Sequence, residues 1–229
     1  MTKQFYIIGH RGAPALAPEN TLPSFARAIE ENVHGIEFDV HKVDRHLVVI
    51  HDESVNRTSN GTGSLQDFSF DALRQLDFGD GATIPTLEEV IEATSTSVLI
   101  NIELKGLDTG SAVAQVLSNY PTHQFMVSSF NWRELDEFSA TFGTASNTEI
   151  ALLSVRLTPR LMESADQMGV NILNVSSKFL QKHRVLAAVN RGFSIYVYTV
   201  NSSNRARQLR NIGVSGVFTD NPTKLRDLN

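Results

Sequence analysis

The chain contains no cysteine. Disulfides, thiolate nucleophiles and cysteine-ligated zinc are thereby excluded. Long apolar runs are missing too. Nothing approaches the roughly 20 residues that span a bilayer, and the apolar stretch near the N-terminus is too short, and too soon followed by charge, for a signal peptide. Nor is there an excess of positive charge: 20 Lys and Arg against 25 Asp and Glu leave a net charge of −5. That balance argues against a broad nucleic-acid face but leaves room for a local cationic site. We find no low-complexity tract, linker or short repeat. The expectation is a soluble, cytoplasmic protein. Its 229 residues, 41% of them hydrophobic, suffice for one large core, read as a single domain over 1–229.

Strand-length apolar runs alternate with amphipathic stretches. The strand-like runs are "FYIIG", "GIEFDV", "LVVIH", "SVLINIEL", "FMVSS", "EIALL", "NILNVS", "FSIYVYTV" and "SGVFTD". In "TLPSFARAIEENVHG", Leu22, Phe25, Ile29 and Val33 share a helical face, with Gly35 as the stop. Thr86 and Glu89 stand in capping-box spacing, and Asn221 before Pro222 marks a helix start. Near-continuous apolar strands between helices indicate a parallel sheet covered on both faces, closed into an α/β (β/α)8 TIM barrel. Nine runs are one too many. Too few residues separate "GIEFDV" from "LVVIH" for a parallel crossover, so "LVVIH" is expected to fold back antiparallel as a hairpin arm. Residues 52–84, rich in turn signals, are read as an insertion capping the carboxyl end of the barrel.

Active sites of such barrels lie at that end. In "GIEFDV", Ile36, Phe38 and Val40 alternate with Glu37 and Asp39; in "LINIELKG", Ile100, Ile102 and Leu104 alternate with Asn101, Glu103 and Lys105. The apolar sets should pack under helices. Glu37, Asp39 and Glu103 should then converge at the mouth, where an all-oxygen cluster suits a hard cation, Mg2+ or Ca2+. Internal salt bridges of Glu37 or Glu103 with Lys105 or Arg11 are the alternative. His10 and Arg11, flanked by Gly9 and Gly12, end the first strand, and the hairpin arm returns His51 to the same rim. Two histidines, an arginine, a lysine and a cation suit phosphodiester cleavage. Asn20 and Thr21 are candidates for capping the next helix. Glu19 is a partner for the helix dipole, the cation or Arg11. His34, His41, His46, His123 and His183 are read as hydrogen-bonding residues, and "RARQLR" as a solvated helix face.

Together, "GHRG", "PENT", "GIEFDV", "VVIHD" leading into "NRTSNGTG", "IPTLEEV", "NIELKG", "VSSF", "YVYTVN" and "GVFTDNP" resemble the glycerophosphodiester phosphodiesterase family over essentially the whole chain. The resemblance implies a TIM barrel with an insertion after the second-strand hairpin. It implies metal-dependent hydrolysis of small-molecule glycerophosphodiesters to sn-glycerol 3-phosphate and an alcohol. By position, His10 and His51 become the acid–base pair, Glu37, Asp39 and Glu103 the ligands of a divalent cation (Mg2+ or Ca2+), and Arg11 and Lys105 phosphate contacts. Glu19 and Asn20 support them, and Tyr198 lines the glycerol side. Asp44, Arg45 and His46 occupy a hairpin tip where relatives carry a glycine-containing turn, and Tyr198 stands where many have tryptophan.

Rival readings are a lysophospholipase D or phosphatidylinositol phospholipase C-like enzyme, a non-catalytic phosphate-ester-binding barrel, and a sugar-phosphate isomerase. The lysophospholipase D and phospholipase C readings need an apolar rim. The insertion offers only Phe68, Phe70 and Phe78, which read as its own small core. No nucleic-acid partner and no membrane insertion are expected, and no oligomeric interface is legible.

Overall fold

The structure, a computed structural model, describes residues 4–143 and 147–228. Strand β1 (Tyr6–His10) leads through α1 (Leu22–Glu30) to β2 (Gly35–Val43), and β3 (His46–Val49) folds back on β2. Helices α2 (Phe70–Leu73) and α3 (Leu87–Glu92) precede β4 (Leu99–Leu104). Strand and helix then alternate: α4 (Thr109–Leu117), β5 (Phe125–Ser129), α5 (Trp132–Phe142), β6 (Thr148–Ser154), α6 (Pro159–Met168), β7 (Ile172–Ser176), α7 (Lys182–Asn190), β8 (Ser194–Tyr198), α8 (Ser203–Asn211) and β9 (Gly216–Thr219). A 3-10 helix, Pro222–Leu228, follows.

Neighbouring barrel strands are all parallel, and β1 pairs with both β9 and β2, which closes the ring; only β3 is antiparallel and stands outside it. This is the (β/α)8 TIM barrel with a hairpin arm that the pattern of runs predicts. Ile36, Phe38, Val40, Ile100, Ile102 and Leu104 are buried with Phe25, Val90, Val113 and Leu117 of the covering helices. Each fully buried large side chain, such as Phe38 or Phe125, contributes about 1.5–3 kcal/mol over its exposed state. Inside the ring, Ile8, Met126, Ala151, Ile172, Tyr196 and Phe218 form a separate apolar plug. The barrel interior is thus filled by side chains beneath its mouth.

Helix α1 is shorter than its periodicity suggests. Thr21 caps it and Pro23 lies in its first turn, but Asn32 takes a left-handed φ of 58°, which ends the helix before Val33. Leu22 is exposed and Gly35 opens β2 rather than stopping α1. The capping box of Thr86 and Glu89 forms as its spacing implies. At the hairpin tip Asp44 adopts the positive φ, 53°, that glycine usually supplies. Phe68 and Phe70 pack with buried Val55, Leu65, Leu73, Phe78 and Ile84 against Val43, Val48 and Ile50 of the arm. The segment after the hairpin therefore carries a small core of its own, seated beside the mouth.

Candidate active site

Strand register assembles the site. Parallel pairing sets His10 beside Glu37 on β1 and β2, and Asp39 beside Glu103 on β2 and β4. Inward-facing polar side chains from three adjacent strands therefore meet at one end of the ring. A turn then bends β1 sharply over the mouth. Arg11 has φ 56° and Gly12 φ 85°. A Cβ on Gly12 would lie 2.5 Å from Ser24 Oγ, and one on Gly9 would lie 2.4 Å from the Gly12 carbonyl oxygen. Both glycines are required by close approach, and the arginine between them is held in the left-handed region. Its backbone N–H donates to Glu37 Oε2 at 2.8 Å, and its carbonyl accepts from Ser24 Oγ at 3.0 Å.

A cavity of about 260 Å³ opens there, lined among others by His10, Arg11, Glu37, His51, Glu103, Lys105 and Tyr198. His10 and His51 thus face one space although they arrive from β1 and from the end of the hairpin arm. Each ring is fixed from behind. His10 Nδ1 lies 2.7 Å from Asp220 Oδ1, and His51 Nδ1 lies 2.6 Å from Asp52 Oδ1. That leaves Nε2 of each imidazole for proton transfer. Their environments differ in sign. Burial pulls the His10 pKa down, but the Asp220 hydrogen bond and the charge of Glu37 outweigh it, so the net shift is upward. Burial also pulls His51 down, and there Asp39 and Asp52 do not compensate, so it stays below the ordinary value.

Carboxylate oxygens of Glu37, Asp39 and Glu103 lie within 4.8 Å of one another, and all three groups are buried or nearly so. Burial, reinforced by the charge of Asp39, pushes Glu37 up to about 7 and Glu103 up to about 8. Burial would raise Asp39 as well, but Lys105 and Arg11 hold it below the usual range. Lys105 Nζ pairs with Glu103 and lies 3.3 Å from Asp39 Oδ1; Arg11 Nε lies 3.5 Å from Asp39 Oδ2. The salt bridges weighed against a metal are therefore present in part, yet among the described residues Glu37 receives a backbone N–H from Arg11 and no side-chain ion pair. Two carboxyls raised chiefly by burial, and further by the charge of Asp39, are groups that added positive charge would hold in their ionised form. The cluster's all-oxygen donors fit a divalent cation.

Asn20 and Glu19 act from outside the cavity lining. Asn20 Nδ2 donates to Asp39 Oδ2 at 3.0 Å, and Thr21, not Asn20, caps α1. Arg11 Nη1 donates to Glu19 Oε1 at 2.8 Å. The Tyr198 hydroxyl donates to the Ser154 carbonyl at 3.0 Å, and its ring meets Phe130 edge-on at 6.2 Å. Four of the other five histidines take backbone or stacking roles: His34 Nδ1 accepts from Ile7, His41 and His123 meet the carbonyls of His51 and Thr94, and His46 stacks on Phe70. Three residues were given no role by the sequence: Asp52, Asp220 and Arg57. Asp52 directly follows His51 and Asp220 stands in "TDNP", so carboxylates inside motif segments were the available signal. Arg57 is different. It bonds Asp52 Oδ2 through Nε at 2.6 Å and both oxygens of Glu19, and only the folded insertion brings it there.

A closed parallel barrel whose strand ends gather acid, base and cationic groups over one cavity defines a barrel enzyme with its site at the carboxyl face. Residues 10–224 match the model of the glycerophosphoryl diester phosphodiesterase family, and the chain belongs to that family, a family of hydrolases. It is 34% identical to YhdW of Bacillus subtilis (strain 168) over 230 residues, 95% of each chain. Identity to the glycerophosphodiester phosphodiesterase of Caldanaerobacter subterraneus subsp. tengcongensis is 33% over 238 residues, 97% of this chain and 96% of that one. The structure of an Oleispira antarctica phosphodiesterase, in complex with the product sn-glycerol-3-phosphate, superposes with a TM-score of 0.90 at 28% identity, covering 97% of this chain and 95% of that one.

Proposed function

We infer that the protein hydrolyses glycerophosphodiesters to sn-glycerol 3-phosphate and a free alcohol. The observation that carries this reading is the pair of imidazoles, each braced through Nδ1 by its own carboxylate, on one cavity with Arg11 and Lys105. Arg11 and Lys105 bind the phosphate oxygens and offset their charge. One imidazole takes a proton from the attacking hydroxyl as the new O–P bond forms. The other, protonated, gives its proton to the alkoxide as the old P–O bond breaks. The attacking hydroxyl belongs to water or to the neighbouring glycerol carbon, and transient cyclic phosphate distinguishes the second route. Glu37, Asp39 and Glu103 are the residues to hold Mg2+ or Ca2+; when bound, that ion supplies Lewis-acid neutralisation of phosphate charge. Asn20 fixes Asp39 for that task, and Glu19 fixes Arg11. The whole chain, 1–229, works as one barrel domain with 52–84 as its cap.

The deciding assay is release of sn-glycerol 3-phosphate from a panel of glycerophosphodiesters, read through a coupled dehydrogenase. No release from any of them sinks the proposal. A second reading, cleavage of single-chain lysophospholipids, is favoured by Phe130, which lines the cavity and is 47% exposed at its mouth. Turnover of lysophosphatidylcholine against glycerophosphocholine separates the two.

A further inference from the structure

Seven large hydrophobic side chains are exposed among the described residues. Leu22 and Leu186 lie on α1 and α7, but the other five follow the carboxyl ends of barrel strands. Leu16 comes after β1, Leu107 after β4, Phe130 after β5, Val155 after β6 and Phe179 after β7. Strands β4 to β7 are consecutive neighbours in the ring, and neighbouring strands run about 4.8 Å apart. Leu107, Phe130, Val155 and Phe179, exposed by 71%, 47%, 48% and 38%, therefore form an arc along one half of the mouth. The opposite half, built by β1, β2 and the insertion, carries His10, Arg11 and His51. The apolar rim that the insertion fails to provide stands on these loops instead.

Charge on the arc runs against that of the molecule. Residues 130–133, 155–160 and 176–182 include Arg133, Arg156, Arg160, Lys178 and Lys182 and no acidic residue, in a chain of net charge −5. Arg133 is paired, with Glu137 at 3.0 Å. The Arg156 guanidinium lies 4.2 Å above the Phe179 ring and Lys178 Nζ lies 5.5 Å from its centroid. Acidic residues adjoin the arc at two places: Asp108 beside Leu107, and Glu134, which follows Arg133 and is buried. Scattered exposed hydrophobics need no explanation, but a row of them interleaved with cations at one rim does. Apolar side chains that enter the acyl boundary, with lysines and arginines level with the headgroups, are what an anionic interface selects. A protein partner gives no reason for the one-sided charge, and a nucleic acid gives none for the exposed leucine and valine.

We propose that this arc docks the mouth of the active site onto an anionic lipid surface. Docking is peripheral; no helix among the described residues is long and apolar enough to cross a membrane. It turns the cavity toward diesters held at the interface. The inference goes beyond the proposed hydrolysis and does not depend on it, since docking is measured without turnover.

The test is co-sedimentation of the full chain with phosphatidylcholine vesicles, with and without phosphatidylglycerol. Binding is expected only to the anionic vesicles, and it should be lost at high salt. Arg156→Glu with Lys178→Glu, and separately Leu107→Ser with Phe179→Ser, should each weaken it by about tenfold or more. Both double variants should keep the far-UV spectrum and the turnover of soluble substrate, because none of the four residues serves the chemistry. Failure to sediment with anionic vesicles overturns the proposal, as does equal binding to neutral ones or binding indifferent to both double variants. A wild-type dimer that Leu107→Ser with Phe179→Ser converts to monomer also overturns it, by assigning the arc to a second copy of the chain.

Discussion

Arg57 clasps Glu19 with both terminal guanidinium nitrogens, at 2.8 and 2.9 Å, across 38 positions of sequence. Its Nε meanwhile holds Asp52, the partner of His51, and Glu19 also accepts from Arg11. One unbroken chain of hydrogen bonds thus runs from the imidazole of His51 to the guanidinium of Arg11, through a residue that touches neither the cavity nor the acidic cluster. Both anions and Arg57 itself respond: Glu19 and Asp52 sit below the usual carboxylate range and Arg57 above its own.

Arg57→Ala should therefore lower kcat by about 10- to 100-fold through misplacement of His51 and Arg11, with little change in global stability. Arg57→Lys should recover little, because an ammonium cannot serve two carboxylates in a planar fork. Steady-state kinetics of the two variants decide it; wild-type kcat in Arg57→Ala would show the bridge to be idle.

His10→Ala and His51→Ala should each cut kcat by about 10²–10⁴. Since their pKa values are displaced in opposite directions, each variant should erase a different limb of the pH–rate profile. Normal turnover in either variant removes that residue from the mechanism.

Asp220→Asn tests the upward shift of His10 separately. The Asp220 hydrogen bond and the Glu37 charge together outweigh burial, which pulls the other way. With the carboxylate gone, burial prevails and the His10 pKa must fall. Whichever limb of kcat/KM reports His10 should move to lower pH, and the His51 limb should stay. An NMR titration of the two imidazoles reads the same shift directly, and an unmoved His10 resonance refutes the assignment.

Exhaustive chelation should abolish activity, and Mg2+ or Ca2+ should restore it. Glu103→Gln should raise the cation concentration needed, measured calorimetrically as well as by rate. Full activity in excess EDTA would leave Glu37, Asp39 and Glu103 as an internal charge cluster paired with Lys105 and Arg11.

Gly12→Ala should destabilise the fold by about 2 kcal/mol or more, since the new methyl group meets Ser24 backbone at 2.7 Å and φ is 85°. Denaturant unfolding checks it. A stability within a few tenths of a kcal/mol of wild type would mean that the β1 turn can open without cost.

The sequence by itself determined what depends on short-range periodicity. A two-residue alternation in "GIEFDV" and "LINIEL" sorts Ile36, Phe38, Ile100 and Ile102 from Glu37, Asp39 and Glu103, because successive strand side chains must point to opposite faces. The distance from β2 to β3 forbids a parallel crossover, so the hairpin arm was legible too. The reach of α1 was not, since periodicity continues to Val33 while Asn32 leaves the helical region. Only the tertiary structure decided which groups meet across the ring. Asp220 reaches His10 over 210 positions, Arg57 reaches Glu19 through a folded insertion, and four apolar residues from separate loops line up along half of the mouth. Such pairings have no local signature: barrel closure and strand register create them, and a side chain's partner is then fixed by where its backbone is carried, not by its neighbours in sequence.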